Sequence, residues 1–355
     1  MSKQLTIRGQ AVELRSRIFL RLPIVDMLDG TELAIPLHVV RGGGDGPVLG
    51  LFACVHGTEY YSNRIVRRIL TELNLERLRG SVLAVPVANP IAFAHQTRQT
   101  PEPPEETVDF ANLNRVFPGR RLTPLFGSME ATDISLTMRM ASVIADEVIS
   151  RCTHVIDFHG QRAPISLKKM LYNRASPTIM ELARAFGLGL IHDPTGGSIG
   201  GVLTALTDYA ERLGIPGIAP EIGGGGHSEA YERECERLGA LGVRNVMISL
   251  GMLDGEQEVP RRQLYFRKAP HVRATRSGYL VSGMEAEDVG ILKPSREVRK
   301  GEVLAYIYNP YTLQEVEKIR SPTDGLIYAC RTSGLVGAQS EVLAVADFDD
   351  SRWLE

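Results

Sequence analysis

The chain has 355 residues, a formal net charge of −2, 43% hydrophobic residues and 23% charged residues. This is the composition of an ordinary globular protein, long enough for about two domains, and without a basic block it excludes nucleic acid or an anionic membrane surface as the main partner. Cys54, Cys152, Cys235 and Cys330 are scattered with no C-x-x-C pair, which argues against a disulfide framework or a cysteine-rich zinc site. No apolar run approaches the ~18 residues of a membrane span. The start, MSKQLTIRGQ, lacks the apolar core of a signal peptide. The expected location is cytoplasmic.

Residues 1–46 read as strand-prone and irregular. Glu32 to Val40 looks like an edge strand, because Pro36 cannot donate to a ladder. A glycine-rich turn at 41–47 leads into Val48–Val55, a continuous apolar strand of the kind buried on both faces. That strand ends in His56-Gly-Thr-Glu59. Tyr60 to Leu73 has helical spacing, with Ile65, Ile69, Leu70 and Leu73 on one face. Ser81–Val87 is a second buried strand, which completes a βαβ unit.

Residues 89–118 read as loop, with a Pro/Glu-rich run at 100–107 that cannot be regular structure and with Arg98, Asn114 and Arg115 along it. A helix follows over 128–151. Thr153 to Gly160 is a third buried strand ending in His159-Gly160, a repeat of the His-Gly ending at 56–57. Next come a short strand at Met170–Tyr172, a helix at Pro177–Phe186, a strand at Leu188–His192 and a helix at Ile199–Leu213. Ile215–Glu221 is a strand that stops at a glutamate, followed by Gly223–Gly226 for a sharp turn. A long helix over 228–253 has candidate breaks at Gly239 or Gly242.

From Gln263 helical periods vanish. Two segments, Ser277–Ile307 and Ser321–Val345, each run from a glycine-started strand to a closing Glu-Val-Leu-Ala strand. This weak repeat predicts the two halves of a small β-sandwich or barrel. It resembles a biotinyl or lipoyl barrel-sandwich, but Lys293 before Pro294 does not fit a carrier lysine. The domain is expected to be structural or lid-like. The expected organisation is a catalytic domain over 1–262, including an N-terminal β extension over 1–46, and a C-terminal β-domain over 263–355.

Four buried strands thus end in polar residues: His56 with Glu59, Asn89, His159 and Glu221. In an open α/β sheet, ligands bind outside the carboxyl ends of strands. A His-x-x-Glu pair recurs by accident, but His56, Glu59 and His159 together offer two nitrogens and a carboxylate. Three protein ligands and an open fourth position make the arrangement of a catalytic zinc site, whose bound water has its pKa lowered toward ~7. Glu221 is the candidate proton acceptor; read alone, a glutamate there is more often a solvated loop residue. Asp157 either orients a ligand histidine or caps a loop. Arg98, Asn114 and Arg115 supply donors for a carboxylate and for a developing oxyanion.

Taken in order, His56-Gly-Thr-Glu59, Asn112-Leu-Asn-Arg115-Val-Phe-Pro, Asp157-Phe-His159-Gly and Pro220-Glu221-Ile-Gly-Gly-Gly-Gly resemble the succinylglutamate desuccinylase/aspartoacylase family over roughly residues 45–345. The resemblance implies a zinc carboxypeptidase-like α/β fold, a mixed sheet flanked by helices, with a smaller C-terminal all-β domain. It also implies one zinc ion per subunit on His56, Glu59 and His159, with Glu221 as general base and acid. Asn114 and Arg115 would bind the carboxylate of a small N-acyl amino acid, and Arg98 is the best match for the arginine that polarises the scissile carbonyl. The spacing from Arg98 to Asn114 is wider than in the aspartoacylase pattern. The subgroup resembling N-acetyl-diaminobutyrate deacetylases carries a similar arrangement, which hints at a small N-acyl amino acid substrate. A zinc carboxypeptidase acting on short peptides and a non-enzymatic ligand-binding protein are the rival expectations. The exposed edges of a β-domain leave a homo-oligomer open.

Overall fold

The computed structural model describes residues 5–101, 111–118, 135–171, 176–194 and 205–355. The parts of the sequence expectations that fall on 102–107, 128–134, Tyr172 and 199–204 lie outside these residues. A short hairpin of β1 (Thr6–Ile7) and β2 (Gln10–Ala11) precedes the long antiparallel pair β3 (Ser16–Asp26) and β4 (Glu32–Arg41). Leu33, Ile35, Leu37 and Val39 of β4 are all buried, the period of two that presses one face of a strand into a core. β5 (Gly44–Phe52), α1 (Ser62–Glu72) and β6 (Arg79–Val85) form the βαβ unit, with β5 and β6 parallel. β4 is an interior strand rather than an edge, since β6 pairs with its end. That second ladder covers only His38–Arg41, so the missing N–H of Pro36 falls beyond it.

α2 (Pro90–His95) opens on Asn89, whose side chain accepts the Ala92 N–H at 3.1 Å, a standard N-cap followed by proline. α3 (Leu136–Glu147) is capped in the same way by Ser135. The third buried strand is two strands, β7 (His154–Asp157) and β8 (His159–Arg162), separated at Phe158. β9 (Ile165–Leu171), α4 (Pro177–Phe186), β10 (Leu190–His192), α5 (Leu206–Arg212), β11 (Gly217–Gly225) and α6 (Glu229–Ser249) follow. Among the described residues, no helix is long and apolar enough to cross a membrane.

Two sequence expectations are corrected here. β11 does not stop at Glu221 but runs on through the glycines, pairing with both β8 and β9. Gly223 has φ +64°, which shifts the register, and a Cβ at Gly224 would lie 2.5 Å from the Gln161 carbonyl oxygen; Gly223–Gly225 permit close strand contact, and the turn comes only at Gly226, with φ +83°. α6 is unbroken at Gly239 and Gly242. A Cβ there would meet Ile65 at 2.5 Å and the Phe186 ring at 2.3 Å, so these glycines let α6 seat against α1 and α4.

β6, β5, β7 and β11 form the parallel centre of the sheet; β4 runs antiparallel to β6 on one side, with β3 antiparallel to β4 beyond it, and β9 is antiparallel to β11 on the other. α1, α4 and α6 pack on one face, with Ile65, Ile69, Ile179, Val243 and Val246 in the core. α3 and α5 cover the other, with Ile144, Val148 and Leu206. This mixed sheet between helices is the α/β architecture expected from the sequence.

The C-terminal part contains β12 (Gln263–Phe266), β13 (His271–Arg273), β14 (Gly278–Ser282), β15 (Glu297–Val298), β16 (Val303–Tyr308), β17 (Glu315–Arg320), β18 (Gly325–Arg331), β19 (Ser333–Val336), β20 (Glu341–Asp347) and β21 (Ser351–Leu354). β17, β16, β14 and β19 make a separate antiparallel sheet, while β18 extends the large sheet by pairing with β9. The two repeated segments exchange strands: β15 of the first pairs with β18 of the second, and β19 of the second pairs with β14 of the first. Facing side chains such as Leu280, Ile307, Ile327 and Val345 fill the space between the two sheets. Against the large sheet, His192 stacks on Phe266 at 4.7 Å between ring centroids.

Substituting Gly242 with alanine is expected to lower unfolding free energy by about 1–3 kcal/mol through overpacking against Phe186, although the same change on an open helix face stabilises by about 1 kcal/mol; the sign in urea denaturation decides. His192 gives a second expectation. Burial, aided by Lys169, lowers its pKa from the ordinary 6.5 to about 3. The folded value is the lower one, so below pH 6.5 the unfolded chain takes up a proton that the fold refuses, and stability falls as pH drops toward 3. His192→Leu should remove a slope of about 1.4 kcal/mol per pH unit in that window, which urea melts between pH 7 and pH 4 will read.

Candidate metal centre and active site

Parallel strands bring their carboxyl ends to one edge. β5 and β7 are in register at Phe52 and Asp157, so the turn after β5 and the start of β8 lie side by side. Glu221 of β11 is paired with His159 of β8. The chain leaves β5 through Cys54, a non-glycine residue with φ +55°. The amide N–H of Asn89 donates to the Cys54 carbonyl at 3.1 Å, and the Cys54 N–H donates to the Ser62 hydroxyl at 3.2 Å. These bonds hold the reversed backbone so that His56 and Glu59 face inward. The glycines after both histidines have a steric reason. A Cβ at Gly57 would lie 2.1 Å from the Ala92 backbone, and one at Gly160 would lie 1.4 Å from the Tyr61 hydroxyl.

His56, Glu59 and His159 converge, all buried, with one ligand atom from each lying within 4.8 Å of the others. His56 Nδ1 is 2.9 Å from Glu59 Oε1, and His159 Nδ1 is 3.0 Å from Glu59 Oε2. The far nitrogens are committed outward: His56 Nε2 to Asn112 Oδ1 at 3.2 Å, and His159 Nε2 to Asp157 Oδ2 at 2.8 Å. Asn112 Oδ1 also accepts the Asn114 N–H at 3.0 Å, which identifies it as oxygen. Both outer partners are therefore acceptors, and both Nε2 atoms must carry hydrogen. In neutral imidazoles the two Nδ1 lone pairs then face two carboxylate oxygens. Four acceptor atoms pointing at one another need a cation between them, either protons or a metal ion. Two imidazole nitrogens and a carboxylate are a donor set that zinc takes, and the carboxylate on His159 Nε2 is the usual orienting partner of a ligand histidine.

The electrostatics agree. Burial alone raises the Glu59 pKa, but His56 and His159 outweigh it and hold the carboxylate ionised far below its ordinary range. Arg98 reinforces this, its Nη1 donating to Glu59 Oε1 at 2.7 Å. Glu221 is half-buried, and burial pushes its pKa up while His159, Lys169 and Arg98 partly oppose the rise. No hydrogen bond or ion pair ties its carboxylate among the described residues.

The structure brings Arg98 to the cluster. Arg115 donates to the Asn114 carbonyl at 2.7 Å, and its pKa is lowered by burial and by the nearby Arg98, so two guanidinium groups share one region. The buried Asn114 has Oδ1 on the Leu206 N–H at 3.0 Å and Nδ2 at 3.2 Å from His159 Nε2. Since that nitrogen already donates to Asp157, the Asn114 amide hydrogens have an unspent donor beside the cluster. Asn89 caps α2 and donates to Thr100 at 3.0 Å, so it serves the loop and not the cluster. His227 lies against Tyr231 and the Ile165 carbonyl. Sequence reasoning missed Asn112 as the holder of His56, although its two-residue spacing from Asn114 was in the motif. It also missed Lys169, which only strand pairing sets opposite Glu221.

A family model described as the succinylglutamate desuccinylase/aspartoacylase catalytic domain matches residues 45–249. The N-alpha-acetyl-L-2,4-diaminobutyric acid deacetylase of Halomonas elongata is 27% identical over 350 residues, covering 94% of this chain and 92% of that protein. The product-bound ectoine utilization protein EutE of Ruegeria pomeroyi superposes with a TM-score of 0.74 at 24% identity, covering 95% of this chain and 97% of that one. A succinylglutamate desuccinylase/aspartoacylase from Rhodobacter sphaeroides gives a TM-score of 0.74 at 23% identity, covering 96% and 98%. These likenesses establish the shared fold across both the α/β and the C-terminal β parts. With its family model spanning more than half of its length, the chain belongs to the succinylglutamate desuccinylase/aspartoacylase family.

Proposed function

We propose that the chain is a zinc-dependent deacylase that hydrolyses the amide bond of a small N-acyl amino acid. The observation that carries this reading is the row of residues on neighbouring strand ends: three buried donors, His56, Glu59 and His159, with Glu221 paired directly to His159. The deacetylase relative supports an acetyl-type acyl group and a diaminobutyrate-like amino acid as the first candidates.

His56 and His159 would hold the ion through Nδ1, and Glu59 through its carboxylate. When bound, zinc supplies Lewis acidity, which polarises a carbonyl and makes water more acidic at neutral pH. Glu221, with no hydrogen-bond partner among the described residues, takes the proton from the attacking water and hands it to the leaving amine. Its raised pKa fits both halves of that exchange, because a carboxyl group nearer neutrality accepts and releases a proton with less penalty. Arg98 supplies positive charge where the carbonyl oxygen becomes anionic. Arg115, with the unspent donor of Asn114 beside it, receives the substrate carboxylate; a planar guanidinium pairs with it through two parallel bonds. Residues 263–355 form a β-domain that closes one side of the site through β18 on β9 and limits access to small substrates.

Two outcomes are expected. Purified protein should carry about one zinc per chain by elemental analysis, and Glu59→Gln or His159→Ala should abolish it; a wild-type protein that takes up no zinc would sink the metal assignment. Glu221→Gln should keep its zinc while kcat on N-acetyl amino acids drops by roughly 10²–10⁴. Full amidase activity in that variant, or hydrolysis of peptides in preference to N-acyl amino acids, would overturn the deacylase reading.

A further inference from the structure

A crevice of about 420 Å³ lies away from the metal cluster, between the last turns of α1, the connection to β6 and the second half of α6. The crossover helix of a βαβ unit runs against its strands. α1 therefore starts at the carboxyl edge of the sheet, just after Glu59, and ends at the amino edge. Its 11 residues span about 16 Å, which sets the crevice apart from His56 and Glu59. The floor is the buried, apolar Ile69, Leu73, Ala240 and Met247. The mouth is charged. Its two acids are neutralised by arginines that do not line the crevice: Glu72 accepts from Arg68 Nε at 2.9 Å, and Asp254 accepts from Arg79 Nη2 at 2.6 Å and Nη1 at 3.3 Å. The two arginines of the mouth are less well matched. Arg77 has no ion pair or side-chain hydrogen bond among the described residues. Arg244 meets Glu258 at 3.4 Å in an exposed pair, which is worth little. Asn74 spends its side-chain oxygen on the Glu76 N–H at 2.9 Å, which leaves its amide hydrogens for another acceptor. Arg17 donates to the Leu70 and Leu73 carbonyls, and so covers the end of α1 that would otherwise repel an anion.

We propose that this crevice binds an amphiphilic anion, an aliphatic carboxylate whose chain lies on Leu73, Ala240 and Met247 and whose head group is held by Arg77, Arg244 and Asn74. Its size falls within the roughly 300–1,000 Å³ of small-molecule sites, and an apolar floor with a few polar groups at the rim is their usual make-up. Charge decides the class of ligand. With both acids already paired, the mouth presents guanidinium and amide donors to whatever enters. A guanidinium pairs with a planar carboxylate through two parallel bonds. Each methylene buried on the floor strengthens binding by roughly fourfold, so chain and head group make separable contributions. The proposal stands apart from the deacylase reading, because the crevice is at the opposite edge of the sheet from Glu221 and the metal cluster.

Octanoate is the probe, titrated by calorimetry into the zinc-loaded full chain. A Kd on the order of 0.1–1 mM is expected, weakening about tenfold for hexanoate, which has two methylenes fewer. Octanol and octylammonium carry the same chain without the anion and should bind at least tenfold more weakly than octanoate. Arg98 and Arg115 also attract carboxylates, so variants assign the site. The double variant Arg77→Ala/Arg244→Ala should lose at least tenfold in octanoate affinity, whereas a folded, zinc-free His159→Ala should keep the wild-type value. Both arginines are exposed, so their removal spares the core. Ala240→Leu, which fills the floor, should weaken octanoate to a similar extent. Absence of octanoate binding overturns the proposal, as does full affinity in the arginine double variant. Loss of affinity in His159→Ala overturns it too, by placing the ligand at the metal cluster, and so does equal binding of octanoate and hexanoate. None of these outcomes touches the deacylase reading, which stands or falls on turnover of N-acyl amino acids.

Discussion

A single buried carboxylate organises the site. Glu59 holds His56 with one oxygen and His159 with the other, and it takes the Arg98 guanidinium on the first. It thereby ties the turn after β5 to the start of β8, two elements about a hundred residues apart in the chain. A carboxylate this enclosed persists only if surrounding cations and donors replace its lost hydration. Its partners are residues that also bind metal ions, so the demands of burial and of chemistry fall on the same atoms. The strained Cys54 backbone and the glycines at 57 and 160 serve that convergence. They let a helix backbone and a tyrosine hydroxyl approach where any side chain would block them.

Around the inner donors stands a layer of acceptors that fixes the histidine tautomers. Asp157 and Asn112 each take a proton on Nε2 and so leave Nδ1 to face inward. The short connection through Leu113–Arg115 then does two jobs. Asn112 holds His56 from behind, Asn114 lies beside His159, and Arg115 turns a guanidinium toward the space shared with Arg98. The motif Asn112-Leu-Asn-Arg115 is therefore a structural clamp and a candidate binding element within four consecutive residues, with buried Leu113 anchoring it in the core.

The C-terminal β part is joined to this site by the sheet itself. β18 adds to β9, and β9 carries Lys169 next to Glu221. Tyr328 of β18 reaches back over that lysine, and its own hydroxyl is tethered through His271 to Glu341, with His271 Nδ1 3.0 Å from Glu341 Oε1. A strand ladder transmits position more rigidly than a loop, so the environment of Lys169 depends on how the two repeated segments exchange β15 and β19. The internal repeat in the sequence has this physical meaning: neither half forms both of its sheets from its own strands.

Much of the candidate site was legible along the chain. Continuous apolar strands ending in histidine or glutamate announce parallel strands with polar groups at their carboxyl ends, because only strands buried on both faces can be apolar throughout. That pattern located His56, Glu59, His159 and Glu221, and the helix expected over Pro177–Phe186 is α4 to the residue. Glycine was harder to interpret, since one residue type serves turns, bulges and close contacts alike. In sequence Gly223–Gly226 reads as a sharp turn and Gly239 or Gly242 as a break, yet the turn comes only at Gly226, and Gly224, Gly239 and Gly242 allow close approach of partners distant in sequence. Pro36 reads as an edge marker, although it sits opposite Arg21 of β3 and only the second ladder, with β6, stops short of it. By itself the sequence determined the donor types, the strand-end placement and the βαβ order, all of which follow from local hydrophobic pattern. Only the tertiary structure decided which nitrogen of each histidine faces inward, that Asn112 holds one of them, and that Lys169 stands beside Glu221, because these depend on register between strands and on acceptors brought in from other elements.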